Sequence, residues 1–290
     1  MVADKTKKIV LGTAQFGMDY GITNLQGKIS MDLAHQILDD AVGMNINTLD
    51  TAISYGDSQS LLGQYFNLTK FSIITKVPEL DMPIKSSSII NAIKSTLNIL
   101  NKAHLEYCLL HRPEQLLQEG GGKIWKTLEQ LKQDGLIGKI GCSVYEPEMI
   151  EMLIESFDLD VVQAPYSIFD RRLDSSGLLD KLNKLNIEVH VRSIFLQGLL
   201  LMPSHDLPSK FFSWRDAWIN FEKWLEDGNM NRMNALVNFA LQDQRIDKVL
   251  VGVSSQNDLK EIAAALVNQN LFNDVPNFSN DPNLLDPRKW

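Results

Sequence analysis

The sequence predicts a single closed (β/α)8 barrel, a TIM barrel, over residues 1–290, on three observations. Short runs rich in Val, Ile and Leu recur along the whole chain, and each precedes a segment with apolar residues at helical spacing. Eight such pairs can be counted. No composition break or Pro/Gly/Ser-rich linker interrupts them, and strict strand-then-helix alternation marks a parallel sheet wrapped by helices.

The strand candidates are residues 7–14, 46–52, 71–77, 107–111, 136–143, 160–167, 187–193 and 248–254, most of them apolar throughout. Burial on both faces of a parallel sheet requires this. Between the first two, Leu33, Ala34, Ile37, Leu38 and Ala41 form an apolar stripe, with Ser30 as N-cap and Gly43 as stop. Helical spacing recurs over 58–66, 87–100, 122–134, 147–156, 176–185 and 256–267. The seventh connection is longer. It carries Trp214, Trp218, Phe221 and Leu225 at helical spacing, read as packing, and a second helix over 231–242. A doubly wound open sheet is the competing fold, but no G-x-G-x-x-G follows the first strand. The glycines at 120–122 follow no strand and read as a loop.

Lys plus Arg number 28 against 36 Asp plus Glu, giving net charge −8 without a basic run, which argues against a nucleic-acid partner. The N-terminal apolar run is broken by Gly12 and Gln15, unlike a secretory leader, and no stretch is long enough to span a bilayer. Cys108 and Cys142 fall inside strand candidates and read as buried free thiols. The expectation is a cytoplasmic protein without membrane or nucleic-acid partners. No metal site is expected, because the His residues are scattered. The sequence leaves oligomeric state open.

In such barrels active sites form at the C-terminal strand ends. Asp50 ends the second strand with Tyr55 just beyond it, Lys76 ends the third and His111 the fourth; Ser143, Gln163, Arg192 and Ser254 lie at the later ends. Each alone has an ordinary structural role, as a loop cap, a rim ion pair or an amphipathic rim residue. Together they form an acid, a phenol, an amine and an imidazole on one rim. An ammonium at Lys76 is expected to lower the phenol pKa of Tyr55, with Asp50 keeping that ammonium charged. His111 would orient a carbonyl oxygen, and a nicotinamide would supply the hydride that no side chain can.

The run LDTAISYGDSQSLLG from Leu49 to Gly63 resembles the D-T-A-x-x-Y-G-x-S-E-x-x-L-G signature of the aldo-keto reductase family. Lys76 in IITKV and His111 in YCLLHRP complete the family's tetrad, and GKIGCSVYEP, VVQAPYSIFDRR, VRSIFLQGLLL and VLVGVSSQNDL extend the resemblance over nearly the full chain. The resemblance implies a (β/α)8 fold and reversible NAD(P)H-dependent reduction of an aldehyde or ketone. Tyr55 would be the general acid and base, Lys76 and Asp50 its pKa-setting pair, and His111 the orienting group. It further implies that Ser143 and Gln163 hold the nicotinamide carboxamide. Ser193, Leu196, Gly198 and Leu199, then Gly252, Ser254 and Ser255, would hold the phosphates near a helix N-terminus.

This chain departs from the family pattern at Gln59, where a Glu is usual, at Val144, where an Asn is usual, and at Arg192, where a Tyr commonly stacks on the nicotinamide. A guanidinium can stack too and is also a fixed anion fork, so Arg192 hints at an acidic or phosphorylated substrate. Gly252 and Asp258 occupy positions where Lys or Arg often clamps the NADPH 2′-phosphate. Asp258 would either repel that phosphate or complement the helix dipole. Family habit places NADPH first and NADH as the alternative cofactor. Two other readings compete: a cofactor-binding regulatory barrel without turnover, and a non-redox acid/base enzyme on a sugar derivative. Phe16, Tyr20, Phe195 and Trp214 are pocket-lining or packing aromatics.

Overall fold

A computed structural model describes residues 2–24, 26–267, 272 and 274–290. The strands are β1 (Ile9–Gly12), β2 (Thr48–Asp50), β3 (Ser72–Val77), β4 (Leu105–Leu110), β5 (Ile137–Ser143), β6 (Val161–Pro165), β7 (Glu188–Arg192) and β8 (Lys248–Gly252). They close into a barrel in sequence order. The seam is parallel like the rest, pairing Ile9 with Val249 and Gly12 with Gly252.

Helices α1 (Val2–Lys8), α2 (Ala14–Gly17), α3 (Met31–Gly43), α4 (Ser58–Gly63), α5 (Ser86–Ile99), α6 (Gly121–Gln133) and α7 (Pro147–Ser156) belong to the first half of the chain. The second half adds α8 (Arg172–Ser175), α9 (Leu178–Lys184), α10 (Arg215–Asp227), α11 (Arg232–Gln242), α12 (Gln256–Val267) and α13 (Pro282–Leu285). In α3 the stripe is as expected: Ala34, Ile37, Leu38 and Ala41 are buried, and Ser30 Oγ accepts from the Leu33 N–H at 3.3 Å. Each such Leu or Ile contributes about 1.5–3 kcal/mol by leaving water.

Three local expectations are corrected. The first strand begins at Ile9, because Lys7 and Lys8 close helix α1. Gly121 and Gly122 form the first turn of α6, with only Gly120 outside it, in a left-handed N-cap. An added Cβ on Gly121 would lie 2.1 Å from the Leu116 carbonyl oxygen, so a glycine lets the helix start tight against the preceding turn. Trp214 closes a 3-10 turn ahead of α10, while Trp218, Phe221 and Leu225 form the buried face of that helix.

The barrel interior is a small apolar cluster of Val10, Ile74, Tyr107, Leu109, Val161 and Leu250. Side chains alternate along a strand, so residues two positions on point inward one layer higher. That rule carries Val10 to Gly12, Ile74 to Lys76, Leu109 to His111, Val161 to Gln163 and Leu250 to Gly252. The polar rim follows from the core by counting in twos.

Candidate active site

Lys76 is the centre of the rim. Its Nζ donates to Asp50 Oδ1 at 2.5 Å, to the Thr51 carbonyl at 3.1 Å and to Tyr55 Oη at 3.3 Å. These three acceptors exhaust the three donors of an ammonium. Asp50 and Lys76 are 2% and 1% exposed, which leaves each as the other's counterion. The second oxygen of Asp50 accepts from Gln163 Nε2 at 2.8 Å, and Ser143 Oγ donates to Gln163 Oε1 at 3.4 Å. A polar chain thus runs from β5 through β6, β2 and β3 to the Tyr55 loop.

Tyr55 is held by backbone approach. Gly17 packs so closely on its loop that a Cβ would lie 1.9 Å from the Tyr55 carbonyl oxygen, and Gly56, at φ +53°, would place one 2.2 Å from the Gly17 oxygen. Ser58 Oγ adds a donated bond to the Thr13 carbonyl at 2.9 Å. With Lys76 donating to its oxygen, Tyr55 keeps its own O–H for another acceptor. His111 meets its ring edge-on, with centroids 5.8 Å apart, and engages Ser54 Oγ through Nδ1 at 3.1 Å. Nε2 remains for a substrate oxygen.

The electrostatics differ from the expectation in one respect. Burial, and then the Asp50 carboxylate, push the Tyr55 pKa up; only the Arg192 charge pulls the other way. The phenol is therefore a protonated acid at neutral pH. Burial lowers the Lys76 pKa, and Asp50 opposes that shift. For His111, burial together with Lys76, Arg192 and Arg112 brings the pKa down to about 3, so the imidazole is neutral.

A cavity of about 820 Å3 opens beside Tyr55, within the ordinary range for ligand sites. Of the expected residues, Asp50, Tyr55, Gln163, Arg192, Ser193, Gly198, Gly252, Ser254 and Asp258 line it. Gly12 and Gly252 line the cavity without side chains of their own, and the Gln15 amide packs against Gly252, where a Cβ would lie 2.7 Å from Gln15 Nε2. The two glycines and the amide and hydroxyl groups of Gln163 and Ser193 fit a nicotinamide nucleotide. Leu196 and Leu199 are fully packed, and their N–H groups are spent inside the loop, on Ser193 and Leu196 carbonyls. Neither offers a side chain or an amide proton to a phosphate in this arrangement.

Asp258 caps the start of α12. Ser255 Oγ accepts from the Asp258 N–H at 3.1 Å, and Asp258 Oδ2 accepts from the Ser255 N–H at 3.1 Å, a reciprocal capping box. The same Oδ2 also takes the Ser254 N–H at 2.8 Å and Ser254 Oγ at 3.0 Å, while Oδ1 takes Ser255 Oγ. A carboxylate of the chain itself thus fills the donor nest at the start of α12.

Sequence reasoning passed over Gly17, Gln15 and Tyr145. Gly17 could have been suspected as a glycine next to an aromatic turn, whereas Tyr145 has no local signal. Its ring lies between two guanidiniums, Arg192 and Arg288, each 3.9 Å from its centre. Of the four aromatics, Tyr20 and Phe195 line the cavity, Phe16 is fully buried, and Trp214 packs and donates to Asp281 at 2.9 Å. Gln59 braces the outer layer, donating to Thr75 and accepting from Thr96. Val144 is buried; its N–H donates to the Gln163 carbonyl at 2.8 Å and its own carbonyl accepts from Arg192 at 3.2 Å.

Cys108 and Cys142 are both free and buried. Among the described residues no helix is long and apolar enough to cross a membrane, and no group of three His, Cys, Asp or Glu side chains could hold a metal.

Comparison with known proteins agrees with the geometry. The model of the aldo/keto reductase family matches residues 8–275. An uncharacterized oxidoreductase of Bacillus subtilis is 23% identical over 88% of this chain and 89% of its own length. The NADH-specific methylglyoxal reductase of Escherichia coli is 28% identical over 67% of this chain and 69% of its own. Among solved structures, the holo form of an aldo-keto reductase from Bacillus halodurans superposes with a TM-score of 0.72 at 21% identity, covering 91% of this chain and 88% of that one. The barrel is an oxidoreductase, an enzyme. The chain belongs to the aldo/keto reductase family, whose members use NAD(P)H.

Proposed function

We propose that this enzyme reduces a small aldehyde or ketone, with Tyr55 as the general acid and NADH as the preferred reductant. The observation that carries the reading is the Lys76 ammonium, which donates to Asp50, Thr51 and Tyr55 and leaves the phenol proton free. The hydride would come from a reduced nicotinamide held by Gln163 and Ser193. As negative charge develops on the carbonyl oxygen, Tyr55 releases its proton to it. The adjacent Lys76 then stabilises the phenolate left behind, a charge that the buried site would otherwise oppose. His111, neutral, donates from Nε2 and fixes the oxygen's position. In the reverse direction the same phenolate accepts the alcohol proton.

Ser143, Gln163, Ser193, Gly198 and Gly252 are the groups we assign to the cofactor. Gln163 has one amide N–H engaged by Asp50 and one left for a carboxamide. NADH is placed ahead of NADPH because Asp258 occupies the amides and hydroxyls of Ser254 and Ser255 that a 2′-phosphate would use. Moving the phosphate in would displace a capping carboxylate or set two anions side by side. The NADH-specific methylglyoxal reductase among its relatives supports both halves of the reading. The test is consumption of NADH and NADPH, followed by absorbance, with methylglyoxal and a panel of small carbonyls. Turnover with NADH the better reductant is expected; no turnover with either contradicts the reading.

A further inference from the structure

The cationic side of the cavity belongs to a residue that the proton-transfer step does not use. Arg192 ends β7, half-buried, and lines the cavity together with Tyr55 and Tyr20. Its guanidinium is fixed in place. It lies 3.9 Å above the Tyr145 ring, one nitrogen donates to the Val144 carbonyl at 3.2 Å, and another donates to Ser193 Oγ at 3.4 Å. Two of its five N–H donors are engaged in this way, both by neutral acceptors.

The other guanidinium on the same ring makes the contrast. Arg288 is neutralised by Asp286 and by Glu146. Arg192 has no carboxylate within ion-pair distance among the described residues. Of the acids lining the same cavity, Asp50 is committed to Lys76 and Asp258 to the serines that begin α12. A half-buried arginine that is stacked and left without an anion has paid its ordering cost in advance and keeps its fork for a ligand. In a chain of net charge −8 this is a local reversal of sign. Its charge acts on Tyr20, Tyr55, Lys76 and His111 alike, so it sits within electrostatic reach of the reacting oxygen.

Resting on the reductase reading above, we propose that Arg192 is the specificity determinant of this site and selects carbonyl substrates that carry an anionic group, a carboxylate or a phosphate. The guanidinium would accept that group in a two-point contact while Tyr55 and His111 hold the carbonyl. The same contact would orient the substrate as well as bind it.

The experiment uses matched pairs and two independent readouts. In the first, kcat/KM is measured for succinic semialdehyde against butanal and for glycolaldehyde phosphate against glycolaldehyde, with wild-type protein, Arg192→Met and Arg192→Lys. A charge-assisted contact predicts that the wild-type enzyme favours the anionic member of at least one pair by about 10- to 100-fold. The pair that shows the preference identifies carboxylate or phosphate as the group read. Arg192→Met should erase the preference, mainly through the KM of the anionic member, and Arg192→Lys should restore part of it. In the second readout, succinate and inorganic phosphate are titrated calorimetrically into the NAD+ complex. Binding by the wild type that is lost in Arg192→Met supports the proposal whether or not any carbonyl is turned over. Equal rates on both members of both pairs, or equal losses on both in Arg192→Met, overturn it. So does an effect confined to nucleotide affinity, which would make Arg192 a cofactor clamp. Failure of every carbonyl to react, with anion binding intact, overturns the reductase reading alone.

Discussion

The Lys76 ammonium lies 2.5 Å from an Asp50 oxygen, and both residues are cut off from water. Such a pair is weak evidence for stability while intact but costly to break, because the survivor stays buried and charged. Lys76→Met should therefore destabilise the fold by about 3–5 kcal/mol, in addition to abolishing turnover. Urea denaturation checks this. The double variant Lys76→Met/Asp50→Asn should recover part of the loss, since it leaves no lone buried charge.

Asp258 controls the cofactor preference on this account. Asp258→Ala releases the donors of Ser254 and Ser255, and affinity for NADPH should rise relative to NADH in a tryptophan-fluorescence titration. The capping box is lost in the same variant, so a stability cost of about 1 kcal/mol should accompany the change. An unchanged ratio of the two dissociation constants would mean that the phosphate lies elsewhere.

Acid should weaken the fold through its histidines. Burial lowers the pKa of His190, which is fully buried in the barrel with Glu188 opposing the shift from 3.4 Å, and brings that of His111 to about 3. Each folded pKa lies below the unfolded value of about 6.5, so the unfolded chain binds protons that the native one refuses. The stabilisation is fully present above about pH 6.5 and is lost as the pH falls towards the folded values. Thermal melts at pH 7.5 and 5 should show the decline, and His190→Asn should show a shallower one. The pH dependence of kcat/KM should carry no inflection near 6.5 from His111.

Most of the barrel was legible because parallel strands buried on both faces are short apolar runs, and because inward positions recur every second residue. Asp50, Lys76 and His111 could be placed on one rim for that reason, and Tyr55 by its position in the motif after Asp50. Helix α1 was missed because its closing lysines run directly into the apolar residues of β1. The direction of the Tyr55 shift was misread because spacing shows which charges are near but not how much water is removed, and here burial and the Asp50 carboxylate outweigh the positive charge of Arg192. The stack of Arg192, Tyr145 and Arg288 joins residues distant in the chain, and no local pattern announces it. Asp258 was placed at the right helix start, yet only the structure shows its carboxylate turned onto the serine amides.

The most direct test of the central claim is Tyr55→Phe, compared with wild type for reduction of methylglyoxal by NADH. Removing one hydroxyl leaves the ring, its packing and the cofactor groups in place. The account predicts a variant that still binds NADH, by fluorescence quenching, but loses about 10²- to 10⁴-fold in kcat. Turnover within a few-fold of wild type would show that the proton comes from another group, and would contradict the assignment of Tyr55.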